Sequence, residues 1–204
     1  MVSLAELRER DDAPVGDQYV HLHGLSWEDY EALLAMRGDR SAPRMSYLDG
    51  TVEIMTPSPE HEGVKSDIGC LVDVYCDFAG IEFSKYGSWT VKARKKKRGV
   101  EPDECYVFGA EPSDRPHLAI EVVWTKGGID KLHIYRKLGV REVWTWRRGR
   151  IHVHVLRGEK YEEVSRSEVL PGIDLDLLVT FLDRPTTSQA IRDYRAALQA
   201  TRAG

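Results

Sequence analysis

Leu118-Ala119-Ile120-Glu121-Val122-Val123 is a continuous apolar run with one carboxylate inside it. A run of this length predicts a strand covered on both faces, the pattern of a sheet interior. Glu121 must then be compensated, because a carboxylate taken out of water costs several kcal/mol unless a cation or hydrogen-bond donors meet it. Upstream, Glu101-Pro102-Asp103 precedes the apolar run Cys105, Tyr106, Val107 and Phe108, so Asp103 falls at the entrance of a second strand. Downstream, Lys131 lies among Ile129, Leu132, Tyr135 and Leu138, a stripe of helical spacing. Two acids and an amine are thereby expected on neighbouring elements of one sheet and its covering helix.

Outward from this centre, residues 1–20 carry scattered charge with Pro and Gly and no period, and are expected to form a flexible arm ahead of a single domain over 21–204. His21-Leu22-His23 reads as extended. Ser26 suits an N-cap, and Tyr30, Leu33, Leu34 and Met36 predict a short amphipathic helix closed by Gly38. Asp49-Gly50 between Arg44–Leu48 and Thr51–Met55 predicts a β-hairpin. Ser58 as cap, Pro59 at the first helical position, and Glu60 and Glu62 in the first turn announce a helix whose inner face is Val64, Ile68, Leu71, Val72, Tyr75 and Ala79. His61 continues that face one turn toward the N-terminus, aimed at the sheet.

Ile81–Tyr86 and Trp89–Ala93 read as two strands joined by a Gly87-Ser88 turn, followed by a basic loop, Lys92 to Arg98. Thr125 and Gly127-Gly128 are expected to open the helix that Gly139 ends. Glu142–Trp146, Ile151–Leu156 and Tyr161–Val164 predict further strands, and the chain closes with an apolar segment Leu175–Leu182 and a helix capped near Ser188. The order of elements describes an α/β domain: a mixed central sheet flanked by helices, with an extra N-terminal helix and an extra C-terminal helix.

Composition narrows the function classes. With 204 residues, 42% apolar and 30% charged, the chain suits one well-buried domain, and no apolar run approaches the roughly 20 residues that span a bilayer. No membrane association is expected, and a cytoplasmic address is the default. Cys70, Cys76 and Cys105 form no CxxC pair and suit a reducing compartment. The 29 basic and 33 acidic residues argue against a surface that coats nucleic acid throughout, but Lys95, Lys96 and Lys97 offer a local contact for phosphate. His152 with His154, and His21 with His23, share strand faces but lack a Cys or acid at the spacing of a zinc site.

Two carboxylates on adjacent strands and a nearby lysine suit metal-assisted hydrolysis of a phosphodiester. Hard oxygen ligands hold Mg²⁺ or Mn²⁺, the ion polarises the phosphoryl group, and an ammonium offsets charge that grows on it. The structural alternative is that Asp103 caps a strand entrance and that Glu121 pairs with Lys131 or Arg136 in an ion pair.

Pro102-Asp103, Glu121 in a buried strand and a following lysine resemble the PD-(D/E)XK nuclease superfamily. More narrowly, Ser46–Glu62, Gly99–Asp103, His117–Val122, Asp130-Lys131-Leu132, Tyr135 and Leu138-Gly139-Val140 resemble, in order, the Uma family of restriction-type endonucleases, over about Arg44 to Leu182. The resemblance implies a restriction-endonuclease-like core, Mg²⁺ or Mn²⁺ on Asp103 and Glu121, DNA as substrate, a homodimer as in many of the superfamily, and a further role for Glu62 or His61 at the start of the first core helix. One departure bears on catalysis. The superfamily places its lysine two residues after the second acid, where this chain has Val123. Lys131 is the expected replacement because its long side chain can reach back to the strand end, and Lys126 is the second candidate. The same departure supports another reading, a catalytically weakened nuclease fold that binds nucleic acid or a protein partner. A structural or regulatory dimer without any nucleic-acid role is the third.

Overall fold

The computed structural model describes residues 16–87, 89–123 and 128–203. Along the chain they form β1 (Gln18–His23), α1 (Trp27–Arg37), β2 (Arg44–Leu48), β3 (Thr51–Thr56), α2 (Pro59–Ala79), β4 (Phe83–Tyr86), β5 (Val91–Ala93), β6 (Arg98–Val100), β7 (Glu104–Phe108) and β8 (Leu118–Val122). Then come α3 (Lys131–Leu138), β9 (Glu142–Arg147), β10 (Arg150–Arg157), β11 (Lys160–Val164), α4 (Leu175–Val179) and α5 (Thr187–Ala203). The strands divide into two sheets. One is antiparallel, in the order β1-β3-β2-β6-β5; the other is mixed, in the order β11-β10-β9-β8-β7-β4, with β8 and β9 its one parallel pair.

Local chemistry explains the elements that the sequence announced. Asp49 and Gly50 both take positive φ, 46° and 84°, the backbone that a two-residue hairpin turn demands. Ser58 caps α2 by accepting from the His61 N–H, with Pro59 behind it. Ser26 and Asp29 cap α1 reciprocally.

The face of β8 alternates with period two, and that alternation positions the site. Leu118, Ile120 and Val122 point to a core shared with Ile68, Leu71, Val72 and Tyr75 of α2. Against the outer side of α2 lies α5, through Ala190, Tyr194 and Leu198, spaced four apart. Ala119 faces the other way, into a second core with Ile134, Tyr135 and Leu138 of α3, Val143 of β9, and Val91 and Val100 of the first sheet. Helix α3 is therefore held between the two sheets. Glu121 shares the Ala119 side and meets α3.

Several expectations are corrected. The strands are not one sheet: the hairpin β2–β3 belongs to the antiparallel sheet, which reaches the mixed sheet through α3. Strands β4 and β5 do not pair with each other; β4 pairs with β7 and β5 with β6, because the half-buried Phe83 packs on the first core and Val91 on the second. Helix α3 is capped by Asp130 and begins at Lys131, later than Gly127-Gly128, and α5 begins at Thr187, with Thr186 accepting from Gln189. Met36 is exposed and not part of the inner stripe of α1. Residues 1–15 of the expected arm, and Ser88, Thr125, Lys126 and Gly127, lie outside the described residues. Past them the chain is anchored earlier than residue 21: Asp17 is buried, and β1 pairs with β3 from Gln18 onward.

Candidate active site

Asp103 lies between β6 and β7, one residue beyond the last paired rung, Glu104 opposite Ile120. It is fully buried, and three elements converge on it. The Val122 N–H of β8 donates to Oδ2 at 2.7 Å. Nε2 of His61, in the first turn of α2, stands 3.0 Å from the same oxygen. The guanidinium of Arg44, the first residue of β2, forms an ion pair with Oδ1 and also donates to Glu62 at 2.7 Å. Glu62 itself is partly exposed and bonds Lys65 at 2.9 Å. Burial would raise the Glu62 pKa, but Lys65 and Arg44 outweigh it and hold it below the ordinary carboxylate value.

Glu121 meets α3. The Lys131 Nζ donates to Oε2 at 2.7 Å, and the Tyr135 hydroxyl donates to Oε1. Lys131 and Tyr135 sit four apart, so one helical turn presents both to the strand. Tyr135 is buried beside the Glu121 anion, and both effects raise its pKa, keeping it a hydrogen-bond donor. Lys131 thus stands in contact with the acid to which position 123 would have offered an amine.

Glu121 and Lys131 open into a cleft of about 430 Å³ that Glu53, Thr145 and Arg147 also line. Thr145 is the register partner of Glu121 across the parallel pair, and Arg147 follows on the same face of β9. Glu53 is a third buried acid. Its Oε2 accepts from the Ile129 N–H at 2.7 Å and faces His21 Nε2 at 3.1 Å, while Oε1 is buried without a hydrogen-bond partner.

His61 is held at both ring nitrogens. Nδ1 is 3.0 Å from Oδ2 of Asp17, whose Oδ1 accepts from the Ser58 N–H at 3.0 Å. Burial pulls the His61 pKa below its ordinary value; Asp17 opposes that, and Arg44 and Lys131 add to it.

Of the residues expected from sequence, Asp103, His61 and Glu62 are linked through Arg44 and direct contact, and Glu121 joins Lys131 across the β8–α3 gap. Lys95, Lys96 and Lys97 are exposed elsewhere. Lys96 donates to the Lys137 carbonyl at the C-terminal end of α3, while Lys131 opens its N-terminal end. His152 pairs with Glu163, and His23 with Thr51. Arg44, Asp17, Glu53 and Tyr135 were not singled out as site residues. Arg44 carried a usable signal, a cation opening an otherwise buried hairpin strand; Asp17, within a stretch without period, carried none.

The donors can be weighed against a divalent ion. Asp103 Oδ1 faces the Arg44 guanidinium and His61 Nε2 faces Asp103 Oδ2, and a carboxylate with an imidazole is a donor pair that suits Mn²⁺ or Mg²⁺. Among the described residues no three His, Cys, Asp or Glu side chains converge closely enough to hold an ion. Arg44 stands against Asp103, and Lys131 and Tyr135 occupy both oxygens of Glu121. An ion at Asp103 would have to take the place that the Arg44 guanidinium holds.

Among the described residues no helix is long and apolar enough to cross a membrane. Comparison with curated proteins gave no match. A family model, Uma2, described as "Putative restriction endonuclease", matches residues 27–182. That span holds both acids, Lys131 and both sheets except β1, so the chain belongs to the Uma2 family, within the PD-(D/E)XK nuclease superfamily.

Proposed function

We propose that the protein is a Mg²⁺- or Mn²⁺-dependent endonuclease that hydrolyses DNA phosphodiester bonds within a single domain, anchored from about Asp17 onward. Asp103 and Glu121 would hold the ion, which when bound polarises the phosphoryl group and offsets the charge that builds on it. Lys131 is the ammonium of the reaction: from the cleft wall it can orient the attacking water or neutralise charge on the transferring phosphate. Tyr135 fixes the Glu121 carboxylate from the dry side, so that its orientation does not depend on the ion. Arg147, across the cleft, suits a phosphate oxygen of the strand being cut. His61 and Glu62 act around Asp103, the first directly and the second by receiving Arg44. Lys95, Lys96 and Lys97 would engage the phosphate backbone away from the cleft. Cutting both strands from one centre per chain calls for two copies, which sedimentation in the presence of a duplex tests.

The observation that carries this reading is the 2.7 Å contact of Lys131 with Glu121, an amine supplied by the next helix. Plasmid DNA incubated with the protein and Mn²⁺ or Mg²⁺ is expected to be cut, EDTA to stop the reaction, and Asp103→Asn and Glu121→Gln each to abolish it. Full activity in both variants rejects the site.

A second reading has its own support. Both acids already carry protein cations, Arg44 on Asp103 and Lys131 on Glu121, as in a fold that has kept its architecture and lost its chemistry. It predicts metal-independent, salt-sensitive DNA binding that weakens when Lys95, Lys96 and Lys97 are neutralised.

A further inference from the structure

We propose that Glu53 is a base-reading residue: its unserved carboxylate oxygen selects, in the cleft beside Glu121, a nucleotide whose base carries an amine where thymine and guanine carry a carbonyl, that is cytosine or adenine. The inference rests on the DNA-cleaving role proposed above and adds to it the class of base held next to the bond that is cut.

Glu53 lies on β3 with its side chain 1% exposed, and its two oxygens are unequally served. Oε2 accepts from the Ile129 N–H at 2.7 Å, just ahead of α3, and faces His21 Nε2 at 3.1 Å. Oε1 has no hydrogen-bond partner. A buried acceptor without a donor is costly to keep, so a ligand that brings a donor gains what the free chain lacks. Glu121, the other glutamate of the cleft, differs, because Lys131 and Tyr135 occupy both its oxygens. Position 128, also in the cleft wall, is a glycine. A Cβ there would stand 3.0 Å from Oε2 of Glu53 and 3.7 Å from Oε1, so the missing side chain leaves the carboxylate uncovered on that side.

The rest of the lining says what kind of ligand brings the donor. Met55, Val123, Leu132 and the Tyr19 ring offer apolar contact of the sort that the flat faces of a base fill. Arg147, at the end of β9 in the second sheet, and Lys131, at the start of α3, put two cations in the same cleft. A nucleotide carries all three complements in one molecule: a phosphate for the cations, apolar ring faces and, in cytosine and adenine, an amine for Oε1. The volume, about 430 Å³, is that of a small-ligand site. Carboxylates accept from the cytosine N4 amine, whereas thymine sets O4 at that place, acceptor against acceptor.

The competing account gives Glu53 a structural task alone, tying Ile129 to β3 ahead of α3. That task needs only Oε2, and a glutamine would serve it equally. The two accounts therefore part at Glu53→Gln. There the amide oxygen keeps the Ile129 N–H and the NH₂ group takes the place of Oε1, turning an acceptor into a donor.

The test is calorimetric titration of the full chain, in EDTA, with dCMP, dAMP and dTMP, for the wild type, Glu53→Gln and Gly128→Ala. The wild type is expected to bind dCMP and dAMP about 10-fold or more tightly than dTMP. In Glu53→Gln that preference should vanish or reverse, and in Gly128→Ala the affinity for dCMP and dAMP should fall about 5-fold or more as the methyl group crowds the carboxylate. Equal affinity for the three nucleotides, or a preference that survives Glu53→Gln, overturns the inference. No nucleotide binding by a wild type that still cuts plasmid DNA with Mn²⁺ overturns it too and leaves the nuclease reading standing. A preference that Glu53→Gln removes, in a protein that cuts with neither Mg²⁺ nor Mn²⁺, upholds base recognition and strikes the nuclease reading. Should Glu53→Gln fail to fold, Gly128→Ala decides, because it keeps the carboxylate: wild-type affinity for dCMP and dAMP in that variant rejects the assignment.

Discussion

Replacing Arg44 by methionine keeps most of the aliphatic bulk of the side chain and removes the guanidinium that faces Asp103. Both partners are withdrawn from water, the Arg44 side chain 7% exposed and Asp103 0%. Breaking a buried pair by deleting one member costs about 3–5 kcal/mol, because the surviving charge is left uncompensated. The second arm of Arg44, on the 42% exposed Glu62, adds little, since half-exposed pairs contribute about 1 kcal/mol or less. Native proteins have about 5–15 kcal/mol of stability, so a wild type in the upper part of that range leaves the variant folded. With an m-value of about 3 kcal/mol per molar, its urea midpoint in EDTA should fall by about 1 M or more. A divalent ion at about 100 times its Kd returns about 2.7 kcal/mol. The variant should regain more from Mn²⁺ than the wild type, where the ion must first displace the guanidinium. Far-UV circular dichroism across a urea series, with EDTA and with MnCl₂, reads both effects. An unchanged midpoint in EDTA removes Arg44 as the counter-ion of Asp103. A lowered midpoint that Mn²⁺ raises no more than in the wild type shows that Asp103 does not receive the cation.

Tyr135→Phe removes the hydroxyl from Oε1 of Glu121 in a fully buried setting; a loss of about 1–3 kcal/mol is expected by chemical denaturation, with DNA cleavage reduced and DNA binding retained. Gly99→Ala would bring a Cβ within 2.5 Å of the Tyr30 hydroxyl, and Tyr30 is buried between Trp27 and Tyr47. Overpacking of about 1–3 kcal/mol should follow, and a neutral result by calorimetry would mean that the Tyr30 ring of α1 does not lie against Gly99 of β6. His117 accepts the Phe108 N–H at Nδ1, and burial, helped by Arg141, holds its pKa below the ordinary 6.5. Its contribution is complete above about pH 6.5 and is lost as pH falls through the folded-state value, since the unfolded chain takes up the proton first. Melting temperatures of wild type and His117→Asn should therefore converge from about pH 7 to about pH 5, and parallel curves would contradict this.

The elements legible in the sequence were those whose causes are local. Asp49-Gly50, Ser58-Pro59 and the continuous apolar run around Glu121 each act within a few residues, and each lies where the sequence puts it. What was hidden depends on pairing between distant segments. Nothing near Phe83 or Val91 says that the two fall in different sheets, and Arg44 finds Asp103 only because β2 and β6 are paired. A buried acid in a strand also proved a weaker sign than it first looks. Glu142, at the start of β9, is fully buried and satisfied by Trp144, Ser167 and the N–H groups of Glu168 and Val169. Glu101 is met by Arg37, Thr90 and the Met45 N–H. Donors within the fold, invisible along the chain, account for those two acids. Asp103 and Glu121 are met in the same way, the first by Arg44 and the Val122 N–H and the second by Lys131 and Tyr135; what sets Glu121 apart is that it also opens into the cleft.

Strand β1 pairs with β3 along its whole length, from Gln18 opposite Thr56 to His23 opposite Thr51. A polypeptide trimmed to the 27–182 boundaries would bare the flank of β3, a row of backbone donors and acceptors open to any passing chain. It would also discard the 187–203 helix from the back of α2. Such a fragment invites self-association, and a lack of nuclease activity in it would speak to the trimming before it spoke to the enzyme.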